Sequence, residues 1–325
     1  MIDARPELRL SRGRPLLAMV AAAALILGAC GQGAGVTPDE DGPSVVVTHA
    51  VLGAVVRDLV GDAAGVTVLM GDGVDPHDWA PSARDIETVM SADLVVANGM
   101  DLEEGLVDVL EQADTEGVPV FHATDHITVR ELGPDEDEGE GEHGDEDEHG
   151  DEDEHGDEGG DPHFWVDPLS MRDVVTALGV ALGDVGIDVA DRSADLERRL
   201  TDLDAETRTT LDAVPADGRK LVTGHESMGY FADRYDFTLI GAVVPGLSSQ
   251  GEVAAGDLAA LKTEIVAAGV PAIFTEVGTP TAVVEAIGQE TGVDVVELPS
   301  HTLPDDGSYL SFIRAIASAI AGALG

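Results

Sequence analysis

The stretch 44–70, SVVVTHAVLGAVVRDLVGDAAGVTVLM, decides the fold. Ser44–Thr48 is a short β-branched run and predicts a strand. Ala50 to Val60 carries apolar residues at helical spacing. Val66–Met70 predicts a second strand. A strand, a helix and a second strand in so short a length form a βαβ unit, whose crossover makes the strands parallel. Downstream the pattern continues. Ser82 with Asp85 three residues on predicts a capped helix, and Leu94–Asn98 and Val118–Phe121 predict two more strands. Ser170 is the expected cap of a helix whose face is Met171, Val174, Val175, Leu178 and Leu182. From Asp188 to Leu211 only Leu196, Leu200, Leu203 and Leu211 form an apolar stripe, which suits a spacer helix lying along two bodies. The second half repeats the βα order. Lys220–Thr223, Phe237–Val244, Ala272–Thr275 and Val293–Leu298 read as strands. Ser227–Tyr235, Ala255–Ala268 and Pro280–Thr291 read as helices, the last with Thr279 as cap and Pro280 at its first position; Ser308–Leu324 closes the chain.

The chain has 325 residues, enough for two lobes. The expected fold is α/β: two lobes, each a mainly parallel sheet flanked by helices, joined by one long helix. The boundaries expected are 44–187 for the first lobe, 188–214 for the connecting helix and 215–325 for the second lobe. Aromatic residues are only 3% of the chain, so the cores must be mostly Val, Leu, Ile and Ala. The formal net charge of −47 excludes a nucleic-acid partner, because phosphate would be repelled.

Residues 1–29 read as an export signal rather than part of the fold. Arg5, Arg9, Arg12 and Arg14 precede a twelve-residue apolar run, Leu16 to Leu27, too short for a good transmembrane helix. It ends in Leu27-Gly28-Ala29-Cys30, which resembles a bacterial lipobox. Cys30 is then the lipidated first residue of the mature chain, and 30–43 a flexible tether. As the sole cysteine, Cys30 leaves no intramolecular disulfide.

Residues 135–160 break the pattern. They hold sixteen acidic residues and no Lys or Arg, and they repeat His-Gly-Asp-Glu-Asp-Glu with a period of six. With no apolar residue to bury, the segment is expected to be disordered, and His143, His149 and His155 are candidate weak metal ligands.

Of the seven remaining histidines, four stand where a strand or loop meets a following helix: His77, His163, His225 and His301. Ligands of open α/β lobes bind at the carboxyl ends of strands. Two of the four sit in near-copies, Asp75-Pro76-His77-Asp78-Trp79 and Asp161-Pro162-His163-Phe164-Trp165. In each, Pro fixes the backbone before the His and a Trp two residues on can pack beside the ring, the kind of restraint a metal ligand needs. Simple hydrogen bonding at a turn accounts for a lone His equally well, and separations of 86, 62 and 76 residues do not by themselves identify a metal site. His49, His122 and His126 read as structural or surface residues.

Taken together, the two pentapeptides and three further segments resemble the bacterial ABC-transporter solute-binding proteins for zinc and manganese. The segments are Thr223-Gly224-His225-Glu226-Ser227-Met228-Gly229-Tyr230-Phe231, Gly246-Leu247-Ser248-Ser249-Gln250-Gly251-Glu252 and Ile273-Phe274-Thr275-Glu276. The order and spacing agree over essentially the whole mature chain. The resemblance implies a rigid connecting helix and His77, His163 and His225 as metal ligands. Many members place an Asp at the fourth position; His301, in Leu298-Pro299-Ser300-His301, stands there in this chain. Manganese members supply carboxylates at the third and fourth positions, so imidazole at both favours Zn2+ as the cargo. Glu226 and Glu276 are possible supports for the ligands. The expected protein is an exported, membrane-anchored monomer that delivers zinc to an ABC permease and is not an enzyme. The alternatives are a manganese or other divalent-metal member of the same family, an adhesin or metal chaperone of the same fold, and a zinc hydrolase. A hydrolase would need an open coordination position for water, which four imidazoles would close.

Overall fold

The computed structural model describes residues 42–131 and 160–325. The signal segment, Cys30, most of the tether, and the acidic repeat with His143, His149 and His155 lie outside the described residues.

The first lobe follows the expected βαβ order. Its strands are β1 (Ser44–His49), β2 (Gly65–Met70), β3 (Leu94–Ala97) and β4 (Val120–His122). They form one parallel sheet in the order β2-β1-β3-β4, with Val45 opposite Val66 on one side and Leu94 on the other. Helices α1 (Ala50–Val60), α2 (Ala83–Met90) and α3 (Val107–Glu116) connect them. α2 begins at the expected capping box of Ser82 and Asp85. α3 occupies a stretch given no element on sequence grounds; only Val109, Leu110 and Ala113 of it are buried, so its apolar face is short.

Two helices follow, α4 (Pro168–Asp184) and α5 (Ala190–Leu211). The second lobe has parallel pairs β5 (Lys220–Thr223) with β6 (Thr238–Ala242), and β7 (Ala272–Thr275) with β8 (Asp294–Glu297). Its helices are α6 (Gly229–Tyr235), α7 (Ala255–Ala268), α8 (Thr281–Thr291) and α9 (Tyr309–Leu324). The described residues contain no helix long and apolar enough to cross a membrane.

Period-two alternation sends neighbouring strand residues to opposite faces, and both faces are buried, as parallel sheets require. Val45, Val47, Leu94 and Val96 enter one large apolar cluster; Val46, Val95 and Ala97 enter a smaller one beneath α2 and α3. In the second lobe Leu221, Ala272 and Phe274 join the same large cluster, while Val222 and Ile273 join a third. The inner sheet faces of both lobes thus share one core. The stripe Leu196, Leu200, Leu203 and Leu211 of α5 lies in that core, packed against α4, α9 and α1. A helix held in a continuous core along its length is a stiff connector.

Two caps differ from expectation. Asp167, not Ser170, caps α4: its Oδ1 accepts from Leu169 N at 2.9 Å, and Pro168 takes the first position, where no N–H is needed. The Ser170 hydroxyl donates to Asp167 Oδ2 at 2.9 Å. Likewise α8 starts one residue later than expected, with Pro280 as cap. Thr279 is drawn into the preceding turn, where its Oγ1 accepts from Glu276 N at 3.4 Å.

Candidate metal centre

Each candidate histidine leaves a turn that a short local rule builds. His77 lies in the loop after β2 and His163 just before the 3-10 turn Phe164–Val166. In both copies of the Asp-Pro-His motif the Asp carboxylate accepts the backbone N–H of the His two residues on. Asp75 Oδ1 accepts from His77 N at 3.1 Å, and Asp161 Oδ1 from His163 N at 2.9 Å. This Asx turn, with the fixed φ of proline at its centre, sets the direction of the ring. His225 follows β5 and His301 follows β8. The loop holding His225 runs so close to the Glu276 turn that a Cβ on Gly224 would meet Thr279 Oγ1 and, at 2.6 Å, Glu276 Cγ; only glycine fits there.

These turns bring three imidazoles together. The ligand atoms of His77, His163 and His225 lie within 4.8 Å of one another, and all three residues are buried. His163 Nε2 is 3.4 Å from His77 Nε2 and 3.2 Å from His225 Nε2. A tetrahedron with Zn–N bonds of about 2.0–2.1 Å has N···N edges of about 3.3–3.4 Å, so the spacing suits that ion. The opposite nitrogen of each ring faces a carboxylate. His163 Nδ1 is 2.9 Å from Asp161 Oδ1, His77 Nδ1 is 3.3 Å from Glu104 Oε1, and His225 Nδ1 is 3.4 Å from Glu276 Oε1. A carboxylate hydrogen-bonded to Nδ1, as at His163 and His77, leaves the Nε2 lone pair free to bind metal; His225 Nδ1 lies at ion-pair distance from Glu276 without an aligned hydrogen bond among the described residues.

His301 lies beside this trio rather than inside it. Its ring is 6.0 Å from that of His225 and 5.4 Å from Trp165, and its Nδ1 is 3.0 Å from Ser300 Oγ. Its Nε2 is buried without a hydrogen-bond partner among the described residues. Such an atom is an available donor to a cation. Trp165 holds the cluster from behind, 5.2 Å from His163, with its indole N–H donating to Ser300 O at 3.0 Å. The Trp of the other copy behaves differently. Trp79 packs with the cluster beneath α2 and α3, and the ring contacts of His77 are with His163 and His225.

Burial lowers the pKa of His163 well below the usual imidazole value, reinforced by the charge of His225. His77 is lowered by the same two causes, and His301 is lowered to about 4 by burial and then by His225. For His225 burial also opposes the charge, but the Glu276 carboxylate outweighs it, with help from Asp75 and Asp161, and the pKa rises. Burial resists ionising Glu276 in turn, and the His225 charge overcomes it, holding Glu276 well below its ordinary value. Burial thus favours the neutral ring at His77, His163 and His301, while the Glu276 carboxylate favours the protonated ring at His225.

Glu276, named on sequence grounds only as a possible support, is fully committed. Its oxygens accept from Gly224 N at 3.1 Å, His225 N at 3.3 Å and Ser227 Oγ at 2.7 Å. Asp75, Asp161 and Glu104 were not anticipated as holders of the rings. The two Asp were within reach, since each stands two residues before its His; Glu104, 27 residues from His77, carries no local signal. Among the other histidines, His49 is buried beside Trp165 and caps α1 through its Nδ1, and His126 stacks on Phe121 at 4.5 Å.

Two parallel-sheet lobes on one stiff helix, with buried imidazoles from both lobes converging on one point, define a metal-binding protein of the substrate-binding class that serves ABC transporters. The sequence profile of the zinc-uptake complex component A, periplasmic (ZnuA) matches residues 45–323, and the chain belongs to that family. The family consists of transporter substrate-binding proteins, not enzymes, which removes the hydrolase alternative. The high-affinity zinc uptake system protein ZnuA of Bacillus subtilis is 32% identical over 284 residues, 85% of each chain. The manganese-binding lipoprotein MntA of Halalkalibacterium halodurans is 25% identical over 279 residues, 84% of each chain. The solved structure of the periplasmic zinc-binding protein TroA of Treponema pallidum matches with a TM-score of 0.73 at 28% identity, covering 87% of this chain and 99% of that one.

Proposed function

We propose that this protein captures Zn2+ between its lobes through His77, His163, His225 and His301 and hands it to an ABC permease. The observation that carries this reading is the pair of Nε2–Nε2 distances, 3.4 and 3.2 Å, by which His163 joins His77 and His225 at zinc spacing, with a carboxylate behind each ring. His301 supplies the fourth donor through its buried, unpartnered Nε2. Relatives named for zinc and for manganese both cover most of this chain, so the preference for zinc rests on the donor set. Imidazole at all four positions suits zinc, whereas manganese favours carboxylate and water. The protein acts outside the cytoplasm, anchored as a monomer by lipid on Cys30, and His143, His149 and His155 collect zinc weakly ahead of the main site.

The test is metal analysis of the purified chain with competition by chelators. One Zn2+ per chain should survive dialysis and resist displacement by excess Mn2+. Deletion of residues 135–160 should remove weaker ions and leave the tight one. A chain that retains no divalent metal, or that exchanges zinc for manganese freely, sinks the proposal.

A further inference from the structure

The three clustered imidazoles are not held alike. The carboxylates behind His163 and His225, Asp161 and Glu276, are buried. Their surroundings are tied across the lobes by α6. Tyr230 OH donates to Asp161 O at 2.9 Å and accepts from Arg130 N at 2.9 Å, and the Arg234 guanidinium grips both oxygens of Asp167 at 2.9 and 2.7 Å.

His77 is held at the rim instead. Glu104, which faces its ring, has a side chain 47% exposed. Both carboxylates that position His77 are gripped by consecutive serines of the other lobe, in the loop between β6 and α7. Ser248 Oγ donates to Glu104 Oε1 at 2.8 Å, the same oxygen that faces His77 Nδ1. Ser249 Oγ donates to Asp75 Oδ2 at 2.6 Å, while Asp75 Oδ1 accepts the His77 N–H. The backbone at Gly278, with φ of +85°, lies against this pair so tightly that a Cβ would overlap Asp75 Oδ2 and come within 2.8 Å of Ser249 Cβ.

We propose that Ser248 and Ser249 form an interlobe clasp that sets the lifetime of the bound ion by positioning His77. When the two serine–carboxylate bonds open, His77 loses the support of both its ring and its backbone, and it is the first ligand to leave. His163 and His225 stay behind with the deeper ties of α6. The inference rests on the reading that these histidines hold the cargo ion.

The experiment measures release of Zn2+ from the full chain into excess chromophoric chelator by stopped flow. A hydrogen bond to a charged group is worth roughly a tenfold factor or more, so Ser248→Ala/Ser249→Ala should release zinc about 10- to 100-fold faster. Ser248→Thr keeps the hydroxyl and should stay within about threefold of wild type. The decisive arm is a cycle with His77→Ala. If the serines act through His77, the double Ala substitution adds no acceleration in that background. Wild-type release from the Ser→Ala protein, or equal acceleration with and without His77, overturns the clasp while leaving the zinc site standing. A wild-type chain that takes up no zinc overturns both.

Discussion

Replacing Glu276 by Gln isolates the charge behind His225. The amide keeps the shape, and its oxygen can still accept from Gly224 N and His225 N, now 3.1 and 3.3 Å from the carboxylate. Ser227 can turn its hydroxyl to accept from the new NH2. What disappears is the negative charge that raises the His225 pKa. Two effects follow with opposite signs. Loss of a carboxylate behind a metal-binding imidazole costs about 10- to 100-fold in affinity, roughly 1.4–2.7 kcal/mol. Loss of the same charge lets burial prevail, so the His225 pKa drops below its ordinary value and protons compete less with the metal. Wild-type affinity should begin to fall above pH 6.5 and lose about tenfold per pH unit below the raised His225 pKa, since one proton must leave per ion bound. The variant should therefore be about 10- to 100-fold weaker above the raised His225 pKa, and the gap should narrow as the pH falls through it. Chelator competition at several pH values reads both curves, and calorimetry in buffers of different ionisation enthalpy counts the protons released. In the metal-free protein the pair stabilises through His225 below its unfolded value of 6.5, a contribution lost as pH rises through the raised folded pKa. It stabilises through Glu276 above the unfolded value of 4.5, a contribution lost as pH falls through the depressed folded pKa. Metal-free Glu276→Gln should thus lose most stability relative to wild type between those two values. An affinity gap that does not change with pH, or no gap at all, refutes the pairing argument.

His49 is buried with its pKa lowered to about 3 by burial and then by His301, so below its ordinary 6.5 the unfolded chain binds a proton that the folded chain refuses. His49→Asn keeps a cap acceptor for Leu52 N and should reduce the loss of metal-free stability between about pH 7 and pH 5 by roughly 2 kcal/mol, measured by urea unfolding. Arg234→Ala strands the buried Asp167 carboxylate and should cost about 1–3 kcal/mol, the usual 3–5 for a broken buried pair discounted because Arg234 is nearly one-third exposed. Arg314→Ala, which removes an exposed pair with Glu206, should cost about 0–1 kcal/mol in the same denaturation assay. His301→Asp should lower the ratio of zinc to manganese affinity by about a decade or more, read by competition between the two ions; an unchanged ratio would remove His301 from the donor set.

The fold was legible because its signals are local. β1, α1 and β2 lie within two residues of where alternation and helical spacing put them, and the Ser82–Asp85 box caps α2 as its letters imply. The misplaced caps show the limit. Ser170 is a good cap by type, but Asp167 is also the partner of Arg234, 67 residues on, and that tertiary tie decides which residue turns the chain. Thr279 loses its place to a local bond instead, its Oγ1 accepting from Glu276 N three residues upstream. α3 escaped because its buried face is only Val109, Leu110 and Ala113 amid acids. At the site, the positions of three clustered histidines were readable from loop context and resemblance, whereas Glu104 and the serines beside it were not. Ser248 reaches Glu104 across 144 residues, and no spacing rule connects them.

The placement of those carboxylates answers an energetic difficulty of the site. A dication moved from water into an apolar interior is strongly disfavoured, and four neutral imidazoles bring no charge to offset it. Carboxylates bound directly would offset it but would favour harder ions such as manganese. On the proposed reading the negative charge stands behind the rings, on Asp161, Glu104 and Glu276, where it can compensate an ion without occupying a coordination position. The Glu276 carboxylate favours protonation of His225, and that charge in turn favours the ionised Glu276 in the buried site. An ion bound at His225 would take the place of that proton opposite the carboxylate. On the proposed reading the imidazole donor set favours zinc, and the outer carboxylates offset the cost of burying the ion.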